Sequence, residues 1–188
     1  SVTISGASKT GVNFTATASG GTTTNILQSP GFETITGWSW TYSGTTHTWR
    51  TSSTTPVSAR GGSYKAQLCS YTSTYYQSQT ENLTQTVTIP SAATAASLNF
   101  YYYIKTAETT TSTAYDKLTI TVENTSGTVL ATLTTMSNLN KTTNWTQKTG
   151  LDLLSYKGQT VVLRFKGTTD SSLGTMFLLD DMTLNVTQ

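Results

Sequence analysis

Charge is scarce in this chain of 188 residues: only 11% of positions are charged, against about a quarter in an ordinary soluble protein. Charged helix faces need Glu, Lys and Arg in larger numbers than nine acids and eleven bases supply. The net charge is +2, with no run of Lys or Arg to follow a phosphate track, which argues against nucleic acid as a partner. No apolar stretch approaches the roughly 18 residues that a membrane helix needs, so no membrane partner is expected. The single cysteine, Cys69, cannot form an internal disulfide and reads as a small buried hydrophobe. One histidine, His47, and one cysteine cannot build a zinc site of the usual kinds.

What the chain has is hydroxyl. Thr occurs 45 times and Ser 22 times. Thr is β-branched and suits a pleated, half-wet surface, so an all-β protein is expected. Ten Tyr, four Trp and five Phe supply a core. The chain begins at Ser1 without an initiator Met and reads as a mature or processed product, with secretion as the expected destination.

Residues 1–20 differ from the rest. Val2, Ile4, Val12, Phe14, Ala16 and Ala18 all fall on even positions, which predicts an extended segment with one apolar edge. The run Gly20, Gly21, Thr22, Thr23, Thr24 reads as a flexible joint, placed at 21–24. From Asn25 to Gln188 short alternating strands recur between turn signals. Leu83, Gln85, Val87 and Ile89 share one face and end at Pro90. Leu98, Phe100, Tyr102 and Ile104 share another. Leu118, Ile120 and Val122 run into the turn at 123–127, and Val129, Ala131 and Leu133 return as a hairpin. Val161, Leu163 and Phe165 make a further strand, and Leu178, Asp180, Met182, Leu184 and Val186 the last. Eight or more strands without a helical period predict an antiparallel β-sandwich of jelly-roll type over 25–188, preceded by the extended strand.

Asn25, Ile26 and Leu27, then Gly31, Phe32 and Glu33, then Gly37 and Trp38, resemble the opening of bacterial galactose-binding-like jelly rolls. These include carbohydrate-binding modules of secreted proteins. The closing stretch Phe177, Leu178, Leu179, Asp180, Asp181, Met182, Thr183, Leu184 is similar to that family's last strand. The resemblance covers roughly residues 25–188 and implies a structural calcium held by Glu33 and Asp180, with Asp181 as the weaker ligand. Parity points Asp180 inward, and a buried carboxylate needs a cation or hydrogen-bond donors. Backbone N–H groups or a nearby Arg or Lys are the alternative to the metal. Residues 1–20 resemble the final strand of a carboxypeptidase-regulatory-like, immunoglobulin-type repeat whose remainder is absent.

Catalysis has little to stand on. A triad would need His47 between a nucleophile and an acid, and the glycine pattern of a nucleophile elbow is missing. A two-carboxylate glycosidase would fall on Glu33 and Asp180, which are better explained as metal ligands. Trp49, Tyr101, Tyr103 and Trp145 are candidate sugar-stacking rings, although rings also fill sandwich cores. The main expectation is a non-catalytic extracellular subunit. It would lend Val2, Ile4, Val12, Phe14 and Ala16 to the next copy and so assemble into filaments. The alternatives are a carbohydrate-binding accessory domain of a secreted bacterial hydrolase, with a polysaccharide partner, and a bare spacer domain.

Overall fold

The structure, a computed structural model, describes residues 21–43, 48–71 and 78–188. The proposed donor residues Val2, Ile4, Val12, Phe14 and Ala16, and His47, lie outside the described residues.

The chain folds into two antiparallel sheets packed face to face, as alternation of apolar and hydroxyl residues demands when each sheet has one dry side. The strands are β1 (Thr23–Asn25), β2 (Ser39–Ser43), β3 (Arg50–Thr51), β4 (Lys65–Leu68), β5 (Gln79–Thr88) and β6 (Ala95–Thr106). They continue as β7 (Lys117–Glu123), β8 (Val129–Ser137), β9 (Thr146–Asp152), β10 (Thr160–Thr169) and β11 (Thr175–Thr187). One sheet runs β3-β4-β11-β6-β9, with β1 also paired to β11; the other runs β2-β5-β10-β7-β8. The expected jelly-roll sandwich is what forms. The expected hairpin is β7–β8, and a short 3-10 turn at Leu154–Tyr156 follows β9.

Between the sheets, Leu83, Leu163, Phe165, Leu118 and Ile120 meet Leu98, Phe100, Ile104, Phe177, Leu179 and Leu184 in one apolar cluster. Phe165 sits edge-on to Phe100 at 5.7 Å and to Trp38 at 6.2 Å. Trp38 is a core residue, as its sequence context indicates. Cys69 is also buried, and burial pushes its thiol pKa well up. Rings of this size make contacts worth about 0.5–1.5 kcal/mol per pair beyond their burial.

The opening segment is tied down by side chains instead of a long ladder. Asn25 Oδ1 accepts from the backbone N–H of Leu27 and of Leu184, while its Nδ2 donates to the carbonyl of Met182. Buried Gln85 clasps Gln28 through both its backbone N–H (2.7 Å) and its carbonyl (3.1 Å). Ordered pairing reaches into the stretch read as a joint, because Thr23 and Thr24 already bond opposite Thr187 and Val186.

One expectation about β11 fails. Its register with β6 shifts between Asp180 and Thr183, and Asp181 takes a positive φ of 44°. This bulge inserts a residue and breaks the simple parity. Phe177, Leu179, Met182 and Leu184 therefore face the core. Leu178 packs with Tyr103 and Met176 on the outer face, and Asp180 follows Leu178 out of the core while remaining fully buried.

Glycine 167 faces the core from β10. A Cβ there would lie 2.9 Å from Cys69 Sγ and 3.1 Å from Leu68 Cβ. Gly167→Ala is expected to destabilise the fold by about 1–3 kcal/mol through overpacking; urea denaturation of the two proteins, compared at equal m-value, checks this.

Candidate functional site

The five-stranded sheet carries its core residues on one face, so every second residue of its strands must project from the other. Alternating with Leu118, Ile120 and Val122 are Lys117, Thr119, Thr121 and Glu123; alternating with Leu163 and Phe165 are Arg164, Lys166 and Thr168. Antiparallel register sets these in rows. Lys166 lies between Thr119 and Asn82, Arg164 between Thr121 and Thr84, and Thr168 between Lys117 and Thr80. Over this face runs a groove of about 530 Å³, lined by Asn82, Lys117, Thr119, Thr121, Glu123, Arg164, Lys166 and Thr168, with Gly127 and Val129 of the β7–β8 hairpin beside them.

The floor of the groove is fixed. Arg164 grips Glu123 through two parallel bonds, Nε to Oε1 at 2.7 Å and Nη2 to Oε2 at 2.8 Å, and Thr121 donates to the same carboxylate at 3.2 Å. A planar fork on a planar carboxylate is the strong form of an ion pair. The Arg164 hydrogen bond holds Glu123 below the usual carboxylate range, and Glu123 raises Arg164 in turn. Thr121 and Glu123 are buried, whereas Lys117 and Lys166 are exposed. The residues of this groove escaped the sequence reading. Their signal was there, in the charges at 117, 123, 164 and 166 that alternate with apolar positions, but only pairing of β7 with β10 puts those charges side by side.

The four candidate sugar-stacking rings are engaged elsewhere. On the outer face of the other sheet Tyr103 is only 7% exposed, and Trp145 lies 6.2 Å from it, edge-on. Trp145 donates its indole N–H to the carbonyl of Ser58. Arg60 lays its guanidinium 3.5 Å over Tyr101. Trp49 packs against the core beside Phe32. Residues 57–61 thus cover this face around Tyr103, which offers no open face to a sugar. A smaller depression of about 480 Å³ lies by Tyr102, Asn140, Lys141, Thr142, Thr143, Asn144 and Thr146.

Glu33, Asp180 and Asp181 each lie against residues 60–64. Glu33 Oε1 accepts from the N–H of Ser63 and of Tyr64, both at 2.9 Å, and those bonds lower its pKa. Gly62, at φ +60°, leaves the room for that carboxylate, since a Cβ would fall 2.3 Å from Oε1. Asp180 accepts from the N–H of Arg60 (2.7 Å), Gly61 (3.3 Å) and Asp181 (2.8 Å). Burial still pushes its pKa up to about 6. Asp181 pairs with Arg60, and buried Lys65, which donates to the carbonyl of Ser53, adds a positive charge near Asp180. N–H donors and cations already meet these three carboxylates, so their surroundings fit a further cation poorly.

A different acidic set has hydrogen-bond donors but, among the described residues, no paired Lys or Arg. The carboxylate oxygens of Glu108, Asp116 and Asp170 lie within 4.8 Å of one another. Asp116 is fully buried and accepts from the Thr175 hydroxyl (2.6 Å) and the Asp170 N–H (3.0 Å). Burial raises the pKa of both Glu108 and Asp116, and the neighbouring carboxylates raise them further. Among the described residues no Lys or Arg forms an ion pair with the three. Clustered hard oxygens without a counter-charge suit a cation such as calcium.

No protein-family model matches the chain, and no curated protein matches it. Solved structures match its fold. TmCBM61, in complex with β-1,4-galactotriose, aligns at a TM-score of 0.58 over 86% of this chain and 97% of that one, with 15% identity. The bacteriophage CBA120 tailspike protein 4 enzymatically active domain aligns at 0.51 with 15% identity, over 86% of this chain and 21% of that one. A third, from work on the promiscuous specificity of carbohydrate-binding modules of the β-sandwich superfamily, aligns at 0.50 with 15% identity. It covers 86% of this chain and 62% of that one. The fold is therefore the jelly-roll β-sandwich that carbohydrate-binding modules share.

The Arg164–Glu123 pair generates a testable consequence. Because the folded pKa of Glu123 lies below its ordinary 4.5, its contribution is present above that value and is lost as pH falls through the folded pKa. Glu123→Gln is expected to cost about 1–3 kcal/mol at pH 7, and the deficit should shrink below about pH 4. Denaturant midpoints at the two pH values measure it.

Proposed function

We propose that this domain is a non-catalytic carbohydrate-binding module of an extracellular protein, and that its glycan lies in the groove over β5, β10 and β7. One observation carries the reading. Two central strands, held rigid by a packed core, present a row of hydroxyl, amide and charged side chains to one open groove. Sugar hydroxyls are both donors and acceptors, and a preformed polar surface meets them without loss of loop entropy. The Arg164–Glu123 pair has its geometry already set, and among the described residues nothing bonds Nη1 of Arg164, whose donors can meet a ligand. The fold likeness to carbohydrate-binding modules supports the same reading. The filament reading draws on residues 1–20, and the described residues add nothing to it.

Affinity electrophoresis through gels containing soluble polysaccharides tests the proposal. Asn82→Ala and Thr119→Ala are each expected to weaken retention by about two- to tenfold, the worth of one hydrogen bond. Trp145→Ala, on the opposite face, should leave it unchanged. Retention on no polysaccharide, or retention lost with Trp145→Ala and indifferent to the groove variants, overturns this reading.

The calcium implied by the resemblance would be held by Glu108, Asp116 and Asp170, the acidic set that fits it better. It would stabilise the folded state by mass action. Chelation is expected to lower the Tm of the protein and of Glu33→Gln by roughly 5–10 °C, and to leave that of Asp116→Asn unchanged. The reverse pattern assigns the ion to Glu33, Asp180 and Asp181. An unchanged Tm in the unaltered protein removes calcium from the proposal.

A further inference from the structure

We propose that the groove selects an anionic polysaccharide over a neutral one; this rests on the reading of the groove as a glycan site. The first ground is where the charge sits. Lys117, Arg164 and Lys166 line the groove together with one acid, Glu123. Arg164 and Glu123 neutralise one another, which leaves Lys117 and Lys166 as the uncompensated charge of the groove. A cleft with an excess of one sign of charge draws in ligands of the opposite sign.

Availability is the second ground. Glu123 is fully engaged by Arg164 and Thr121. Among the described residues no carboxylate forms an ion pair with Lys117 or Lys166, and both ammonium groups are exposed. They project from adjacent strands on diagonal positions, since Lys117 stands opposite Thr168, two residues from Lys166. Cβ atoms so placed are separated by about 7 Å, which lets each lysine reach a charge on a different residue of one bound chain.

The third ground is the lack of aromatic rings. None of the ten residues lining the groove is aromatic, and the one sizeable apolar side chain is Val129, 53% exposed. The apolar faces of a neutral sugar have no ring to stack on, so affinity must come from hydrogen bonds and charge. The same lack weighs against a single-stranded nucleic acid, whose bases need stacking platforms. The pairs formed would be solvent-exposed, each worth a few-fold in affinity, and screened by salt.

Polygalacturonate and its fully methyl-esterified form share a backbone and differ in charge, so they are the probes. Calorimetric titration at low salt is expected to show binding to polygalacturonate that is at least tenfold tighter than to the ester. Raising NaCl to 0.5 M should erase most of the difference. Lys117→Gln and Lys166→Gln are each expected to weaken polygalacturonate binding by about two- to fivefold, with little change toward the ester. Dextran sulfate separates the two anionic chemistries: equal binding assigns recognition to charge alone, weaker binding to carboxylates on the sugar ring. Equal affinity for polygalacturonate and its ester, or binding indifferent to both lysine variants, overturns the charge selection and leaves the glycan site standing. Binding to neither form, to dextran sulfate or to any neutral polysaccharide removes the glycan site itself. Tighter binding to single-stranded DNA than to any glycan overturns both.

Discussion

Everything in this molecule depends on one geometric rule, that successive residues of a strand point to opposite sides. Once Leu163 and Phe165 are locked against Phe100 and Trp38, Arg164 and Lys166 have only the outer face to occupy. The same holds for Thr119 and Thr121 once Leu118 and Ile120 enter the core. A slip of one residue would exchange the two sets, placing arginine and lysine in an apolar interior at a cost no sandwich could bear. The ten-residue pairing of β5 with β10 forbids that slip. The groove is thus a by-product of the core, and it needs no mobile loop to assemble it.

The two faces of the sandwich solve opposite problems. On the five-stranded sheet Lys117 and Lys166 stay open to water, above a floor set by the Arg164–Glu123 pair. The six-stranded sheet covers part of its outer side with residues 57–61, around Tyr103, Trp145, Val57 and the Arg60–Tyr101 stack. Glu33 and Asp180 serve this closure by accepting backbone N–H groups of residues 60–64. Carboxylates bonded in this way join the opening segment and the last strand to one loop.

Most of the fold was legible in the sequence because Thr-rich strands with strict alternation leave few other options. Val122, Leu133, Leu83 and Ile104 fall on the elements their spacing predicts. The site was less legible, for two physical reasons. Lys117 and Lys166 are 49 positions apart, and nothing local says that their strands are neighbours. The exposure of Tyr101, Tyr103 and Trp145 depends on residues 57–61 folding over them, a long-range contact that strand parity does not encode. Parity misled at Asp180 because the bulge adds a residue there, and no sequence period announces an insertion.

That irregularity in β11 has a consequence for how the domain tolerates change. Below the bulge the strand serves the outer cluster with Met176 and Leu178; above it Met182, Leu184 and Val186 serve the interior on the same odd-even count. The extra residue acts as a phase shifter, allowing one strand to belong to two hydrophobic clusters on opposite sides of a sheet. Point substitutions leave that phase intact, whereas loss of a single codon between positions 180 and 182 would invert half of the closing strand.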